Sequence, residues 1–205
     1  VFTPYWKAAR NRPVSDPLPA PTVTLLQLPD DNNKLSDWEL TPTTPDWAHS
    51  WTNYWQPGEA GAQARLAAFL DEDLNNYSQE RDRPDLPSTS RLSPHLHFGE
   101  ISPRQVHAAV NFQPFQDQML VAGAEKFMSE LGWREFSHHL LYHFPAMTTE
   151  NWRPAFEAYP WRDSQQDLDA WRRGQTGYPF VDAGLRELRQ TGFMHNRARM
   201  IVASF

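Results

Sequence analysis

The spacing of apolar residues predicts helices throughout the later part of the chain. From Glu59 to about Glu80, apolar residues recur every three or four positions, which is the period of a helix with one buried face. These residues are Leu66, Phe69, Leu70, Leu74 and Tyr77. The stretch RDRPDLPSTS breaks the pattern with two prolines, and a capping box, Ser102-Pro103-Arg104-Gln105, then opens a helix through about Asn111.

A longer apolar period runs from Asp117 to Phe144 and predicts one long helix or two abutting ones, closed by Pro145. Gly123 and Gly132 are predicted weak points, because glycine has a low helix propensity. The predicted buried side carries Leu120, Ala124, Phe127, Leu131, Leu140 and Phe144.

Two further helices are indicated by their end signals. Asp163 or Ser164 is placed to cap a short helix that runs to about Arg173. Pro179 is placed to start another helix, which Gly192 ends. Its predicted apolar face consists of Phe180, Val181, Gly184, Leu185 and Leu188.

The first 57 residues show little period. They hold half of the 18 prolines, and four tryptophans lie between positions 38 and 55. We therefore expect residues 1–57 to be an extended linker that packs through aromatic anchors, followed by a helical domain over residues 58–205. Only Thr22 to Leu28 hints at a strand, which Pro29 stops. Because the strongly periodic elements are helical, the predicted fold class is all-α.

Composition narrows the classes of protein. A chain of 205 residues with 40% hydrophobic residues can bury the core of one domain plus a tail. No apolar run approaches the roughly 18 residues of a membrane span, and VFTPYWKAAR does not resemble a signal peptide. We therefore expect a soluble, cytoplasmic protein, associated with the nucleoid if its source is bacterial. The absence of cysteine excludes disulfides, thiolate metal sites and cysteine nucleophiles.

Charge is distributed unevenly along the chain. The net charge is −6, but residues 172–205 carry six arginines against Asp182 and Glu187, a net of +4, which leaves −10 for residues 1–171. A basic terminal segment can focus a local positive field on nucleic acid or on a phosphate-bearing cofactor, although solvated arginines on a helix face are the simpler interpretation. The chain also lacks an initial Met and ends at Phe205 within an amphipathic pattern, which suggests a segment of a longer protein.

Three stretches could carry chemistry. The loop Thr89-Ser90-Arg91-Leu92-Ser93 can offer hydroxyls and backbone N–H groups to a phosphate, although such turns commonly only cap helices. Glu130, Trp133, Arg134 and Ser137 share one helix face, where a surface ion pair beside a half-buried Trp is the alternative. His195 to Met200 place amide, imidazole and guanidinium groups beside an apolar seam.

A metal site is not expected. His139 and His143 are four residues apart on a helix and could both face a metal ion, but neither a carboxylate nor a third His stands at useful spacing. The chain contains no GxGxxG motif, P-loop or GxSxG motif either.

Three stretches closely resemble successive motifs of the DNA photolyase/cryptochrome family, in the order and at the spacing of that family. They are TSRLSPHLHFGEISPRQV, ELGWREFSHHLLYHFP and WRRGQTGYPFVDAGLRELRQTGFMHNRARMIVASF. The likeness runs from about Tyr77 to Phe205, and VFTPYWK resembles the end of the family's antenna domain. It implies the first part of a helical FAD- and DNA-binding domain, incomplete on its C-terminal side. An antenna domain holding a folate or deazaflavin would precede it.

The resemblance implies a role for each matching residue. Tyr77, Thr89, Ser90, Leu92 and Ser93 would hold the FAD diphosphate, with charge-assisted bonds from Arg134. Glu130 and Trp133 would face the lesion, the carboxyl group hydrogen-bonding the pyrimidines and the indole stacking on the flipped bases. Asn196, Arg199 and Met200 would lie between flavin and lesion, Asn196 and Arg199 also contacting the cofactor. Arg81 and Arg197 would contact DNA phosphates, and Trp161 would be the surface member of an electron relay.

The implied activity is light-driven repair of cyclobutane pyrimidine dimers in ultraviolet-damaged DNA by electron transfer from reduced FAD, performed by a monomer. The class I dimer photolyases are the expected subfamily, since relatives that repair six-four photoproducts carry histidines where this chain has Asn196 and Met200. The fragment alone is expected to be inactive, and Phe127 and Phe193 replace Trp of some relatives. Two alternatives stay open: a cryptochrome-type photoreceptor with little repair, and a non-catalytic helical DNA-binding module.

Overall fold

The computed structural model describes residues 1–22, 24, 34–41, 43–114 and 117–205, and these residues form helices joined by turns and irregular segments. The strand suggested within Thr22 to Leu28 lies almost wholly outside the described residues. Over the described part no strand is present, so the all-α prediction is confirmed. No helix in that part is long and apolar enough to cross a bilayer.

The α-helices, in chain order, are α1 (Phe2–Ala9), α2 (Glu59–Ala68), α3 (Tyr77–Glu80), α4 (Ser93–Phe98), α5 (Pro103–Asn111), α6 (Gln118–His143), α7 (Gln165–Arg173), α8 (Pro179–Thr191) and α9 (Asn196–Ser204). Short 3₁₀ helices span Leu35–Trp38, His49–Asn53, Pro145–Thr148 and Pro154–Ala158. The start signals were correct: the box at Ser102 caps α5, Ser164 caps α7 and Pro179 begins α8.

The first predicted helix is interrupted. A π-helical turn, Phe69–Asp73, follows α2, and the chain then turns before α3. The Leu74 N–H donates to the Phe69 carbonyl over 2.9 Å, which is the wider i to i+5 bond of a π turn. The apolar period continued across this turn because Phe69, Leu74 and Tyr77 are all buried.

One apolar core surrounds α6. It joins α2, the π turn, α3, the loop before α4 and α5, and its largest fully buried side chains are Phe69, Leu74, Leu92, Val106 and Val110. The C-terminal end of α6 projects beyond this core, so Leu140 is only partly buried and Phe144 is 51% exposed. The prediction that these two residues are buried is wrong.

A second, smaller core holds α8 against α9, with Trp171 of α7 packed at its edge. It consists of Val181, Leu185, Met194, Ala198 and Val202. The predicted apolar face of α8 is correct at Val181, Gly184 and Leu185, whereas Phe180 and Leu188 are 42% and 40% exposed.

The linker is anchored to the end of α8 through its aromatic segment. The indole N–H groups of Trp51 and Trp55 donate to the carbonyls of Arg189 and Thr191 over 3.2 and 2.5 Å. The Ser50 hydroxyl donates to the Gln190 carbonyl between them over 2.7 Å. Carbonyls at a helix end lack partners within the helix, so the linker satisfies three of them in succession. The predicted aromatic anchoring therefore holds at Trp51 and Trp55, whereas Trp38 and Trp47 are 61% and 56% exposed. The prediction of an extended chain is wrong at its start, where Phe2–Ala9 form α1.

Candidate functional site

A cavity of about 410 Å³ lies between α6 on one side and α4 with the loop before it on the other. Its lining includes five residues predicted as site residues: Ser90, Leu92, Ser93, Glu130 and Arg134. The remaining lining residues are Leu96, His97, Phe127, Leu131 and His138. A larger groove of about 690 Å³ elsewhere is lined by linker residues such as Trp51 and Trp55. The smaller cavity is therefore the place where the predicted chemistry converges.

The hydroxyl-bearing loop is fixed from behind by Arg65 of α2. Its guanidinium donates to the carbonyls of Ser90 and Thr89, both over 2.9 Å. Burial, followed by the nearby charge of Arg91, lowers the pKa of Arg65. The Thr89 and Ser90 carbonyls are thus held by Arg65, while the Ser90 and Ser93 side chains line the cavity. The sequence pattern around Arg65 gave no signal of this supporting role.

Leu92 secures the same loop to the core, since it is only 1% exposed while also lining the cavity. Arg91 beside it has a φ of 51°, an uncommon left-handed conformation for a residue with a side chain. Its guanidinium lies 5.2 Å from the ring centre of Phe193 and 3.9 Å from a Glu187 carboxylate oxygen. The loop is thus tied to the α8–α9 unit as well as to α2.

The opposite wall of the cavity is one stripe of α6. Phe127, Glu130, Leu131, Arg134 and His138 recur at three- and four-residue intervals and all line it. Arg134 also pairs with Glu135 over 2.5 Å. His138 was not among the predicted site residues, although its position four residues after Arg134 places it on the same helix face.

Glu130 is connected to α9 by a chain of ion pairs. It pairs with the Arg81 guanidinium, Arg81 Nε lies 3.2 Å from Asp82 Oδ1, and Arg197 Nε donates to the same oxygen over 2.8 Å. The Arg197 hydrogen bond holds the pKa of Asp82 below its usual value. Arg81 is 9% exposed, so its guanidinium serves this network in the structure. Contact of Arg81 or Arg197 with a DNA phosphate stays a prediction.

Tyr77 lies in the core and not on the cavity wall. Its ring packs against Phe69 and Phe127 at centroid distances of 5.4 and 5.5 Å, and burial raises its pKa to about 12. It contacts Phe127, which does line the cavity. Thr89 is likewise absent from the lining. Their predicted contacts with a diphosphate therefore remain predictions.

The α9 residues lie beyond the cavity lining. His195 caps the helix, its Nδ1 accepting from the Arg197 N–H over 3.1 Å. Arg199 donates to the Met194 carbonyl over 3.2 Å, and Met200 Sδ accepts from Arg197 over 3.6 Å. Asn196 and Met200 are exposed, and their roles at the flavin and the lesion stay predictions.

The two remaining predicted aromatics lie apart from the cavity. Trp133 is 45% exposed and stacks on Phe2 of α1. It points away from the cavity that Arg134 lines, because adjacent residues of a helix point about 100° apart. Trp161 is 80% exposed in an irregular segment and packs on Tyr159 at 4.8 Å. Its predicted exposure is confirmed, whereas its part in an electron relay stays a prediction.

No group of three or more His, Asp or Glu side chains is arranged to hold a metal ion within the described ranges. The rings of His139 and His143 lie 4.5 Å apart at the exposed end of α6. The donors of the cavity are instead hydroxyls, a guanidinium and imidazoles, facing apolar walls of Leu and Phe. Such a set suits a ligand that carries both phosphate and an apolar ring.

Comparison with known proteins identifies similar chains. The family model described as the FAD binding domain of DNA photolyase matches residues 127–205. The chain is 45% identical over 207 residues to a deoxyribodipyrimidine photo-lyase from Agrobacterium fabrum, covering 100% of this chain and 43% of that protein. It is 38% identical over 159 residues to Cryptochrome-2 of Arabidopsis thaliana, covering 75% of this chain and 26% of that protein.

A solved structure is also similar over the whole chain. The crystal structure of a bacterial class III photolyase from Agrobacterium tumefaciens has a TM-score of 0.92 and 45% sequence identity, covering 100% of this chain and 42% of that chain. A cryptochrome structure from Synechocystis has a TM-score of 0.66 and 33% identity over 77% of this chain and 33% of that chain. The chain thus spans less than half the length of these relatives.

Proposed function

Since this chain belongs to the DNA photolyase family, we propose that it is part of a flavoprotein that uses light to repair cyclobutane pyrimidine dimers in DNA. The observation that carries the proposal is the cavity itself. It brings the hydroxyls of Ser90 and Ser93 together with the guanidinium of Arg134, and it places Glu130 on the same wall. These side chains come from separate parts of the sequence, so their convergence depends on the fold.

The residues of the cavity fit FAD. Ser90 and Ser93 can donate hydrogen bonds to phosphate oxygens, and Arg134 can neutralise their charge. Leu92, Phe127 and Leu131 provide apolar surface that excludes water beside the polar groups. When bound, reduced FAD supplies the light-absorbing electron donor for this class of chemistry.

Glu130 and Trp133 form the proposed lesion-facing side. The Glu130 side chain is 28% exposed and held by Arg81, so its carboxylate has a fixed position and can still accept a hydrogen bond from a pyrimidine. Trp133 presents an indole that is 45% exposed, on which an extruded base can stack. Asn196 and Met200 are the residues of α9 that we propose to extend this side, and Arg81 and Arg197 are the proposed phosphate contacts.

A photolyase of class III is the proposed subfamily. The class III structure from Agrobacterium tumefaciens matches the chain over its full length, which favours that class over the class I assignment suggested by the sequence. We also propose the division into a linker over 1–57 and the beginning of a helical domain over 58–205. We further propose an antenna domain with a second chromophore and a monomeric state. The proposed location is the cytoplasm, with association with the nucleoid if the source is bacterial.

A cryptochrome-type photoreceptor is the second candidate. Its support is the 38% identity to Cryptochrome-2 of Arabidopsis thaliana over 75% of this chain. A photoreceptor of this type would bind flavin, as a photolyase does, but would not repair DNA efficiently. The two functions therefore differ in the turnover of damaged DNA.

The test uses the whole protein that contains this chain, purified with its flavin and reduced. Ultraviolet-irradiated DNA is incubated with it in blue light or in darkness, and the remaining thymine dimers are counted. A photolyase removes dimers only in the light. Flavin absorbance with equal dimer counts in both samples would favour the photoreceptor, and a protein without flavin absorbance would contradict both functions.

A further inference from the structure

We propose that α1 holds the Trp133 indole in the orientation that receives a base of damaged DNA, which makes Phe2 a positioning residue for lesion recognition. This inference rests on the proposed function, because it gives Phe2 a role in positioning a residue that the proposed function places against the lesion. It concerns a segment of the chain remote in sequence from the cavity.

Phe2 covers one face of the Trp133 indole. The two rings are nearly parallel, with 3.7 Å between centroids and 9° between planes. Phe136 closes the side of this pair, since its ring stands edge-on to both at 5.8 Å. Trp133 nevertheless remains 45% exposed, so part of the indole stays open to solvent beside the stacked Phe2 ring.

α1 packs against α6 in a defined position. A Cβ atom at Gly132 would lie 2.4 Å from Trp6 Cε3, so the lack of a side chain there is what admits the Trp6 ring. Tyr5 packs on Phe136 and His139 at 5.1 and 5.3 Å. The short helix α1 is thus held against successive turns of α6 by Phe2, Tyr5 and Trp6. These contacts fix the position of Phe2.

This arrangement supplies preorganisation. An exposed indole on a helix surface samples several rotamers, and ordering it when a base arrives opposes binding. A ring already stacked on Phe2 has one orientation, and the part of the indole that stays exposed is available to an extruded base, since aromatic stacking accepts any base. Phe2 would therefore raise affinity for lesion DNA without touching it.

The test measures affinity for DNA with one thymine dimer and for the same undamaged duplex, using the whole flavin-loaded protein. Phe2→Leu removes the stacked ring and should weaken dimer binding roughly three- to tenfold, the strength of one aromatic pair. Affinity for undamaged DNA and flavin content should stay unchanged. Phe2→Tyr keeps the ring and should restore dimer binding.

Two comparisons separate positioning from general packing. Phe112→Leu makes the same change at a residue that is 89% exposed, and should alter dimer affinity by less than about twofold. Phe2→Leu should have no further effect once Trp133→Ala is present, because coupled residues give non-additive losses.

Three outcomes would overturn the inference: unchanged dimer affinity in Phe2→Leu, equal weakening for damaged and undamaged DNA, or full additivity with Trp133→Ala. If the unsubstituted protein itself does not prefer dimer-containing DNA, the proposed function fails, and that result is visible before any variant is compared.

Discussion

Glu130 and Arg134 stand one helical turn apart on the cavity wall, yet they have different partners. Glu130 pairs with the buried Arg81, whereas Arg134 pairs with Glu135 on its own helix. Truncation of Glu130 to Ala would leave the Arg81 guanidinium buried beside one fewer carboxylate, a costly state that would also destabilise the fold. Glu130→Gln keeps a hydrogen-bond acceptor and is therefore the better probe of function.

We expect Glu130→Gln to retain normal flavin content and to lower the yield of light-dependent dimer repair roughly tenfold, about the worth of one charge-assisted hydrogen bond. Arg134→Ala should instead reduce flavin retention, because it removes the cation that faces the phosphates. The ratio of flavin to protein absorbance after gel filtration, followed by the repair assay, distinguishes them. Flavin loss in Glu130→Gln with full retention in Arg134→Ala would reverse the two assignments.

His195 makes the junction between α8 and α9 sensitive to acid. Its ring is buried, and its Nδ1 accepts a hydrogen bond from the Arg197 N–H, a role that only an unprotonated nitrogen can perform. Burial lowers the pKa of His195 in the folded protein. The unfolded chain thus binds the proton more readily, so the His195 contribution to stability is complete above about pH 6.5 and is lost as pH falls through the lower, folded pKa.

His195→Asn should remove this contribution to the pH dependence, because Asn caps a helix N-terminus well and does not titrate. Urea unfolding at a series of pH values between neutral and mildly acidic measures it. The unfolding free energy of the variant should fall less steeply with acid than that of the unsubstituted protein. Parallel curves would show that His195 is protonated in neither or both states over this range.

At the scale of elements, α6 is organised by close approaches of other backbones and rings. It runs unbroken from Gln118 to His143, so Gly123 and Gly132 are not weak points. A Cβ atom at Gly123 would lie 1.9 Å from the Leu74 carbonyl oxygen, which follows the π turn. The two glycines mark the places where α6 meets the α2–α3 connection and α1.

Gly123→Ala should therefore destabilise the protein by about 2 kcal/mol or more, even though alanine favours helix by about 1 kcal/mol. Neither the backbone of α6 nor the Leu74 carbonyl can move aside without disturbing the core. Glu125→Ala, at an exposed position of the same helix, is the control. Chemical denaturation followed by circular dichroism measures both, and a Gly123→Ala variant as stable as the control would contradict the expected clash.

Elements of this fold that depend on neighbours in sequence are predictable from the chain, whereas features that depend on distant residues are not. Caps and periods are local, and they placed α5, α7 and α8 correctly. Glycine at positions 123 and 132 could not be interpreted locally, because its reason is a neighbour distant in sequence. The π turn was not predicted either, because buried residues on both sides of it continue the apolar period of a single helix.

The candidate site shows the same division. The loop residues Ser90, Leu92 and Ser93 and the helix residues Glu130 and Arg134 were selected by motif, and the fold brings them to one cavity. Arg65 and Phe2 lie outside the three motifs of the helical domain, and they support the site through tertiary contacts that exist only in the folded chain. Arg134 lines the cavity and Trp133 does not, because adjacent residues of a helix point in different directions and contact different neighbours.

For the whole molecule, the folded arrangement reduces the charge asymmetry of the sequence. The last 34 residues have a net charge of +4, but three of their arginines lie within 4 Å of carboxylates. Arg172 pairs with Asp169, Arg186 with Asp182 and Arg197 with Asp82. Asp182 is already counted in that net charge, so Asp169 and Asp82 are the two carboxylates that the acidic body contributes here. They neutralise part of the basic segment, and the local positive field is weaker than the formal charges indicate.

The contact between the linker and α8 has a consequence for local opening. Ser50, Trp51 and Trp55 donate to the carbonyls of Gln190, Arg189 and Thr191, so the linker cannot leave without breaking these three hydrogen bonds at the end of the helix. Regions joined in this way unfold as one cooperative unit. The frequency with which α8 frays, and with it the junction that leads to α9, is thus governed by a segment more than a hundred residues earlier in the chain.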